Sequence, residues 1–198
     1  MPKIVDDTKR KERIAEAVWS LASKGGLHAA TMRAVAKECE LSVGAIQHSF
    51  PSQAQLQRFS MSLLVSRAKS RIDCLAKERY DNPMEKAATL LEQILPLDEE
   101  RMVEARVWAM FTMEALVDPN LEPYSSEMGG MMENLCRDCL LFLQSRGLVN
   151  RKTDISARAL SLSAVLDGLT IRILAKPTSE EIAKARESLR DILARITA

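Results

Sequence analysis

Apolar residues recur three and four positions apart along almost the whole chain, with no convincing alternation of the kind a strand shows. Ile14, Ala17, Val18 and Leu21 begin the series, and Gly25-Gly26 closes it. Met32, Val35, Ala36 and Cys39 repeat the spacing after Thr31, a favourable N-cap. Val43, Ile46 and Phe50 follow Ser42, a second cap, until Pro51 stops the helix. The spacing therefore predicts three short helices joined by a few residues each.

Ser52 and Gln55 form a capping box for a longer helix running to about Tyr80. Asn82-Pro83 opens another, which Pro96 closes. Further helices are expected from about Asp98 to Val117 and over 121–147, 154–175 and 179–196, the last restarted by the box Thr178 to Glu181. Gly129-Gly130 predict a kink or a late start in 121–147, since each glycine costs about 1 kcal/mol inside a helix. The expected fold is all-α with about nine helices and no internal repeat. A boundary in the fourth helix divides a three-helix domain, 1–55, from a helical bundle, 56–198.

Composition narrows the function classes. The chain is 46% apolar and 28% charged, as a folded soluble protein is, and no run of 18 apolar residues predicts a membrane span. The first residues are charged with no apolar stretch behind them, so no secretory signal is expected and the cytoplasm is the expected compartment. Cys136 and Cys139 form a C-x-x-C on one expected helix, but both histidines, His28 and His48, lie far away, so no metal site is expected. No nucleophile motif or glycine-rich phosphate loop is present, so no catalytic residue, cofactor or enzymatic activity is expected. Net charge is only +1, yet residues 1–60 carry nine Lys/Arg against six Asp/Glu, concentrated in "KRKER".

Residues 31 to 50 read as two helices joined by Cys39 to Ser42, the helix-turn-helix arrangement whose second helix enters the DNA major groove. Such a helix needs an apolar back, here Val43, Ile46 and Phe50, and a front of small or planar polar groups. Gly44 and Ala45 permit close approach, Gln47 suits an adenine edge, and His48 suits a phosphate or a base. A plain helical hairpin in an all-helical core has the same spacing.

The stretch Arg13 to Leu56 resembles the DNA-binding domain of the TetR/AcrR family of transcriptional regulators. Gly26, Thr31, Arg33, Val35, Ala36, Ser42, Gly44, Ile46, Phe50 and Ser52 match its pattern. "ALVDPNLEPY" and "ISARALSLSAVLDGLTIRIL" are similar to the C-terminal domain of the branch that resembles the betaine-pathway regulators. The resemblance implies a ligand-responsive regulator, normally a repressor, that binds an inverted-repeat operator in double-stranded DNA as a homodimer and is released by a small-molecule effector. It implies DNA contacts from Thr31, Arg33, Ser42, Gln47, His48 and Gln53, with Val43, Gly44 and Ala45 facing the groove. Three departures stand out: Glu40 where glycine is usual in the turn, Gln47 where tyrosine is common, and Gln53 where lysine is usual. A helical ligand-binding or adaptor protein without sequence-specific DNA binding is the alternative reading.

Trp108, Phe111, Met113 and Glu114 crowd one helix and Met131 another, the candidates for an apolar, adaptable effector pocket. The last two helices suit dimerisation. Leu160 to Leu174 is apolar nearly all round and must be covered, Ala164 and Gly168 allow close approach, and Leu189, Ile192 and Ile196 form a stripe. Leu160, Ala164, Gly168, Leu189, Ile192 and Ile196 are the expected interface residues.

Overall fold

A computed structural model of the chain describes residues 2–119 and 121–197. Among these residues it contains nine α-helices, a short 3-10 turn at Leu27–Ala29 and no strand. The helices are α1 (Pro2–Gly25), α2 (Met32–Glu38), α3 (Val43–Ser49), α4 (Gln53–Ala76), α5 (Pro83–Leu91), α6 (Glu99–Ala115), α7 (Glu122–Ser145), α8 (Ile155–Ala175) and α9 (Ser179–Thr197). The all-α expectation holds.

The expected caps form. Thr31 Oγ1 accepts from the Ala34 N–H at 3.2 Å and Ser42 Oγ from the Ala45 N–H at 3.1 Å. Asn82 Oδ1 accepts from Met84, and Asp154 Oδ1, a cap not named from sequence, accepts from Ala157, each filling one of the donors a helix start leaves open. Three boundaries differ from expectation. Helix α4 stops at Ala76, four residues short of Tyr80, and α5 stops at Leu91, where successive turns run on toward Pro96. Helix α7 starts at Glu122 and remains helical through Gly129 and Gly130, so the late start does not occur. Both glycines are exposed, and an apolar face through Met128, Met132, Cys136, Cys139, Leu140 and Leu143 holds this helix past them.

The chain divides into two compact units, Met1–Arg67 with Arg106–Ser125, and Ala68–Ala105 with Ser126–Ala198. The expected boundary after Gln55 and the division after Arg67 both fall inside α4, the second about four turns from its start, and the first unit also takes in the second half of α6. In the first unit Ile14, Val18, Val35, Ile46, Phe50 and Leu56 form a core in which none is more than 4% exposed. Trp19 of α1 donates from its indole N–H to the Ser60 carbonyl of α4 at 3.2 Å, and Arg67 lies over the Trp19 ring while pairing with Glu16. These contacts fasten the early part of α4 to α1.

In the second unit Leu140, Leu143, Leu162, Leu166, Ile173 and Leu189 are fully buried. Two ion pairs cross helices there, each with a buried glutamate. Arg71 of α4 grips Glu104 of α6 with two hydrogen bonds of 2.8 and 2.6 Å, and Arg186 of α9 reaches buried Glu92 at 2.7 Å. No helix among the described residues is long and apolar enough to cross a membrane.

Candidate nucleic-acid interface

The interface is assembled from α2, the turn that follows it, and α3. Helix α2 ends in a tight reversal in which the Leu41 N–H reaches the Ala36 carbonyl at 2.8 Å and the Glu40 N–H reaches Lys37 at 3.2 Å. This is a Schellman turn, which requires its pivot residue to enter the left-handed region. That residue is Glu40, at φ 56°, a non-glycine side chain held there at a cost. The chain then extends through Ser42, φ −75° and ψ 152°, and starts α3.

Helix α3 is seven residues long and divides cleanly by exposure. Ile46 is fully buried and Phe50, just past its end, is 4% exposed, its ring tilted at 48° against that of Phe59 with centroids 5.2 Å apart. Gly44, Gln47 and His48 are exposed. A methyl group placed on Gly44 would meet only the Ser42 hydroxyl, at 3.9 Å. The fold itself therefore does not need a glycine there, which leaves room for an external surface to approach the backbone. Thr31, Arg33 and Ser42 are exposed as well. The Thr31 and Ser42 hydroxyls accept in their caps and keep an O–H free to donate.

Three expected DNA residues are placed differently. Val43 is half-buried and packs against the core of the first unit, so it serves the back of α3, not the groove-facing side. Ala45 is half-buried, with its carbonyl taken by Arg10. Gln53, the first residue of α4, donates from Nε2 to the Ala30 carbonyl at 2.7 Å, which commits its N–H to the start of α2. Lysine at that position would supply a charge; glutamine supplies an internal tie.

Two residues were not singled out from sequence. Lys37 is exposed one turn beyond Arg33, and i, i+4 spacing on α2 would have paired them. Arg10 of α1 donates from Nη2 to the Ala45 carbonyl at 2.9 Å and to the Ser49 hydroxyl at 2.8 Å. Beside it, the Asp7 carboxyl is held below its ordinary range by its hydrogen bond to Lys11, with help from the nearby Arg10 and His48 charges.

The expected effector residues do not gather in one unit. Trp108, Phe111, Met113 and Glu114 lie in the first and Met131 in the second. Phe111 is buried core, Trp108 half-buried, and Met113 and Glu114 are exposed. Met131 lines a cleft of about 460 Å³ between α4 and α7, with Ile72 and Leu135 as apolar floor and Lys69, Asp73, Asn134 and Asp138 at its rim. Deep in α7, Cys136 and Cys139 are buried and their thiols are pushed up to about 12, chiefly by burial. Among the described residues no group of three or more His, Cys, Asp and Glu is placed to hold a metal.

On α8 and α9 the expected interface residues separate. Leu160 is 60% exposed, Ala164 and Gly168 are exposed, and Ile192 and Ile196 are half-buried. Leu189 is fully buried within its own protomer and offers no atom to a partner. Of the α9 stripe, its own chain covers Leu189 fully and Ile192 and Ile196 in part.

The family model described as bacterial regulatory proteins, tetR family, matches residues 14–58, and the BetI-type transcriptional repressor C-terminal model matches residues 83–198. The chain is similar to the HTH-type transcriptional regulator PksA of Bacillus subtilis, at 32% identity over 177 residues, covering 89% of this chain and 84% of that protein. A transcriptional regulator from Rhodococcus sp. Rha1 superposes with a TM-score of 0.81 at 28% identity, covering 94% of this chain and 95% of that one. A transcriptional regulator from Saccharomonospora viridis, solved in complex with choline, shares the fold at a TM-score of 0.81 and 24% identity, covering 94% of this chain and 96% of that one.

Proposed function

Given that this chain belongs to the TetR family of bacterial regulatory proteins and carries a BetI-type repressor C-terminal domain, we propose how it acts as a ligand-responsive transcriptional regulator. Helix α3 reads the major groove of an inverted-repeat operator through Gln47 and His48. Thr31, Arg33, Lys37 and Ser42 hold the phosphates, and the chain represses in the absence of an effector. The observation that carries this reading is the division of α3: Ile46 fully buried on one side, and Gly44, Gln47 and His48 exposed on the other. A helix buried on one side and furnished with a glycine and an amide on the other fits base readout.

The protein acts in the cytoplasm as a homodimer. The exposed face of α8, with Ala157, Leu160, Ala164, Gly168 and Ile171 at helical spacing, is the surface that pairs. A methyl group on Gly168 would meet nothing within 4 Å in its own protomer, which leaves the space to a partner helix. Two-fold pairing places the recognition helices about 34 Å apart, one turn of DNA. A small effector occupies the α4–α7 cleft and favours the state with weaker DNA affinity. A coupling of about 1–3 kcal/mol would lower that affinity roughly 5- to 150-fold. No catalytic step belongs to this reading.

Selection of bound sequences from a random duplex pool at physiological salt is the test. An enriched inverted repeat is expected, and its absence with an intact dimer favours a protein that binds ligands but not specific DNA. On the selected operator, Gln47→Ala should lose about 1–3 kcal/mol of base discrimination. Arg33→Ala should weaken binding to all sequences alike and lower the log–log salt slope by about 0.9. Equal losses on every sequence for both variants would refute the division of roles.

A further inference from the structure

Arg10 sits in the basic stretch "KRKER", where the charge excess of residues 1–60 is concentrated, and the structure turns it inward. Both N–H groups of its Nη2 are used on α3, one at the Ala45 carbonyl (2.9 Å) and one at the Ser49 hydroxyl (2.8 Å). Its Nε is buried without a partner. The positive charge beside it, Lys11, is itself paired with Asp7 at 2.8 Å.

A seven-residue helix is too short to be stable on its backbone bonds alone and takes its position from what it packs on. The apolar anchors are Ile46 and Phe50, with half-buried Val43 beside them. Burial is non-directional, so these fix how deeply α3 sits and define its rotation less sharply than its depth. Hydrogen bonds are directional. Positions 45 and 49 are one helical turn apart, and Gln47 and His48 lie between them. A single guanidinium nitrogen holding both therefore sets the angle at which those two side chains leave the protein.

We propose that Arg10 is a positioning residue for sequence readout, holding α3 at the rotation that aims Gln47 and His48, and that it makes no phosphate contact. The inference rests on the DNA-reading role of α3 proposed above. It assigns specificity to a residue on α1, outside the helix-turn-helix, acting through α3.

The test uses the full-length protein and the operator obtained by selection. Affinities for that operator and for single-mismatch versions are measured over a range of salt for wild type, Arg10→Met, Arg10→Lys and Ser49→Ala. A mismatch that costs the wild type about 5- to 150-fold should cost Arg10→Met several-fold less. The salt slope should be unchanged. Arg10→Lys, which keeps a charged donor at the end of a stem of similar reach, should recover much of the discrimination, and Ser49→Ala should lose part of it. Hydrogen exchange of the α3 amides should quicken in Arg10→Met while that of α8 does not.

A salt slope lowered by about 0.9 with discrimination intact would make Arg10 a phosphate contact and overturn the proposal. Unchanged discrimination with unchanged exchange would overturn it equally. Should Arg10→Met fail to fold, Ser49→Ala decides by the same ratio, since it removes one acceptor and no charge. A wild type that selects no sequence overturns the DNA reading and the readout role together, and exchange at α3 then still reports whether Arg10 holds the helix.

Discussion

Two turns in this chain are closed by the same pair of hydrogen bonds around different residues. After α2, Leu41 N–H bonds to Ala36 and Glu40 N–H to Lys37; after α7, Leu148 N–H bonds to Leu143 and Gly147 N–H to Gln144, both at 3.0 Å. The pivots have φ 56° at Glu40 and 77° at Gly147. Glycine enters that region freely, and a glutamate does so at roughly 1–2 kcal/mol. What holds the costlier turn is its landing. Leu41 packs on the core of the first unit, and the next helix is seated by fully buried Ile46. Strain is tolerated where the surrounding structure leaves the chain no alternative.

The largest test of that account removes the landing. Ile46→Ala should destabilise the first unit by about 2–5 kcal/mol, measured by denaturant unfolding, with the cost read in the head and not in α7–α9. A loss well under 1 kcal/mol would mean that the turn holds itself. Next, Gly147→Glu places the unfavourable residue in the second turn and should cost about 1–2 kcal/mol. The converse change, Glu40→Gly, should return a few tenths to about 1 kcal/mol, because relief of strain is partly offset by the freer unfolded chain. It should also strengthen DNA binding at low salt, since an exposed carboxylate leaves the turn.

The second unit carries an unfavourable residue of its own. Asp167 of α8 has a buried oxygen without a hydrogen-bond partner, and burial raises its carboxyl above the ordinary 3.8. The folded state therefore holds this proton more tightly than the unfolded one. The corresponding stability is full below 3.8 and is lost as pH rises through the folded value. Asp167→Asn should remove that decline, seen as a flatter dependence of melting temperature on pH above about 4. An unchanged profile would place the proton elsewhere.

The sequence was most legible where structure is decided locally. Thr31, Ser42, Asn82 and Thr178 cap the helices they precede, because a cap needs only a side chain and an N–H two or three residues on. Glu40 was readable only as a departure from the glycine that the resemblance places in the turn, and its φ of 56° is the region that a glycine enters freely. Gly129 and Gly130 misled, because a local cost of about 1 kcal/mol each is overruled by an apolar face six residues deep. Arg10 and Gln53 were beyond reach: their acceptors lie 35, 39 and 23 positions away, and spacing along a helix carries no record of such partners. Leu189 shows the matching limit for the expected interface. Periodicity says that a stripe is covered, and it does not say by which chain.

Gly44 has a genetic consequence. Its side chain position is open on the protein side and the backbone there is unstrained, so a bulkier residue leaves folding untouched, and with it the proposed pairing of α8. Under the proposed function such a residue would obstruct only the approach to DNA. A cell making both forms would assemble mixed pairs, each with one working head and one blocked, and the variant allele would silence its wild-type companion. Dominant loss of regulation from substitutions at this one glycine, with normal protein levels, is the phenotype that the geometry of α3 prescribes.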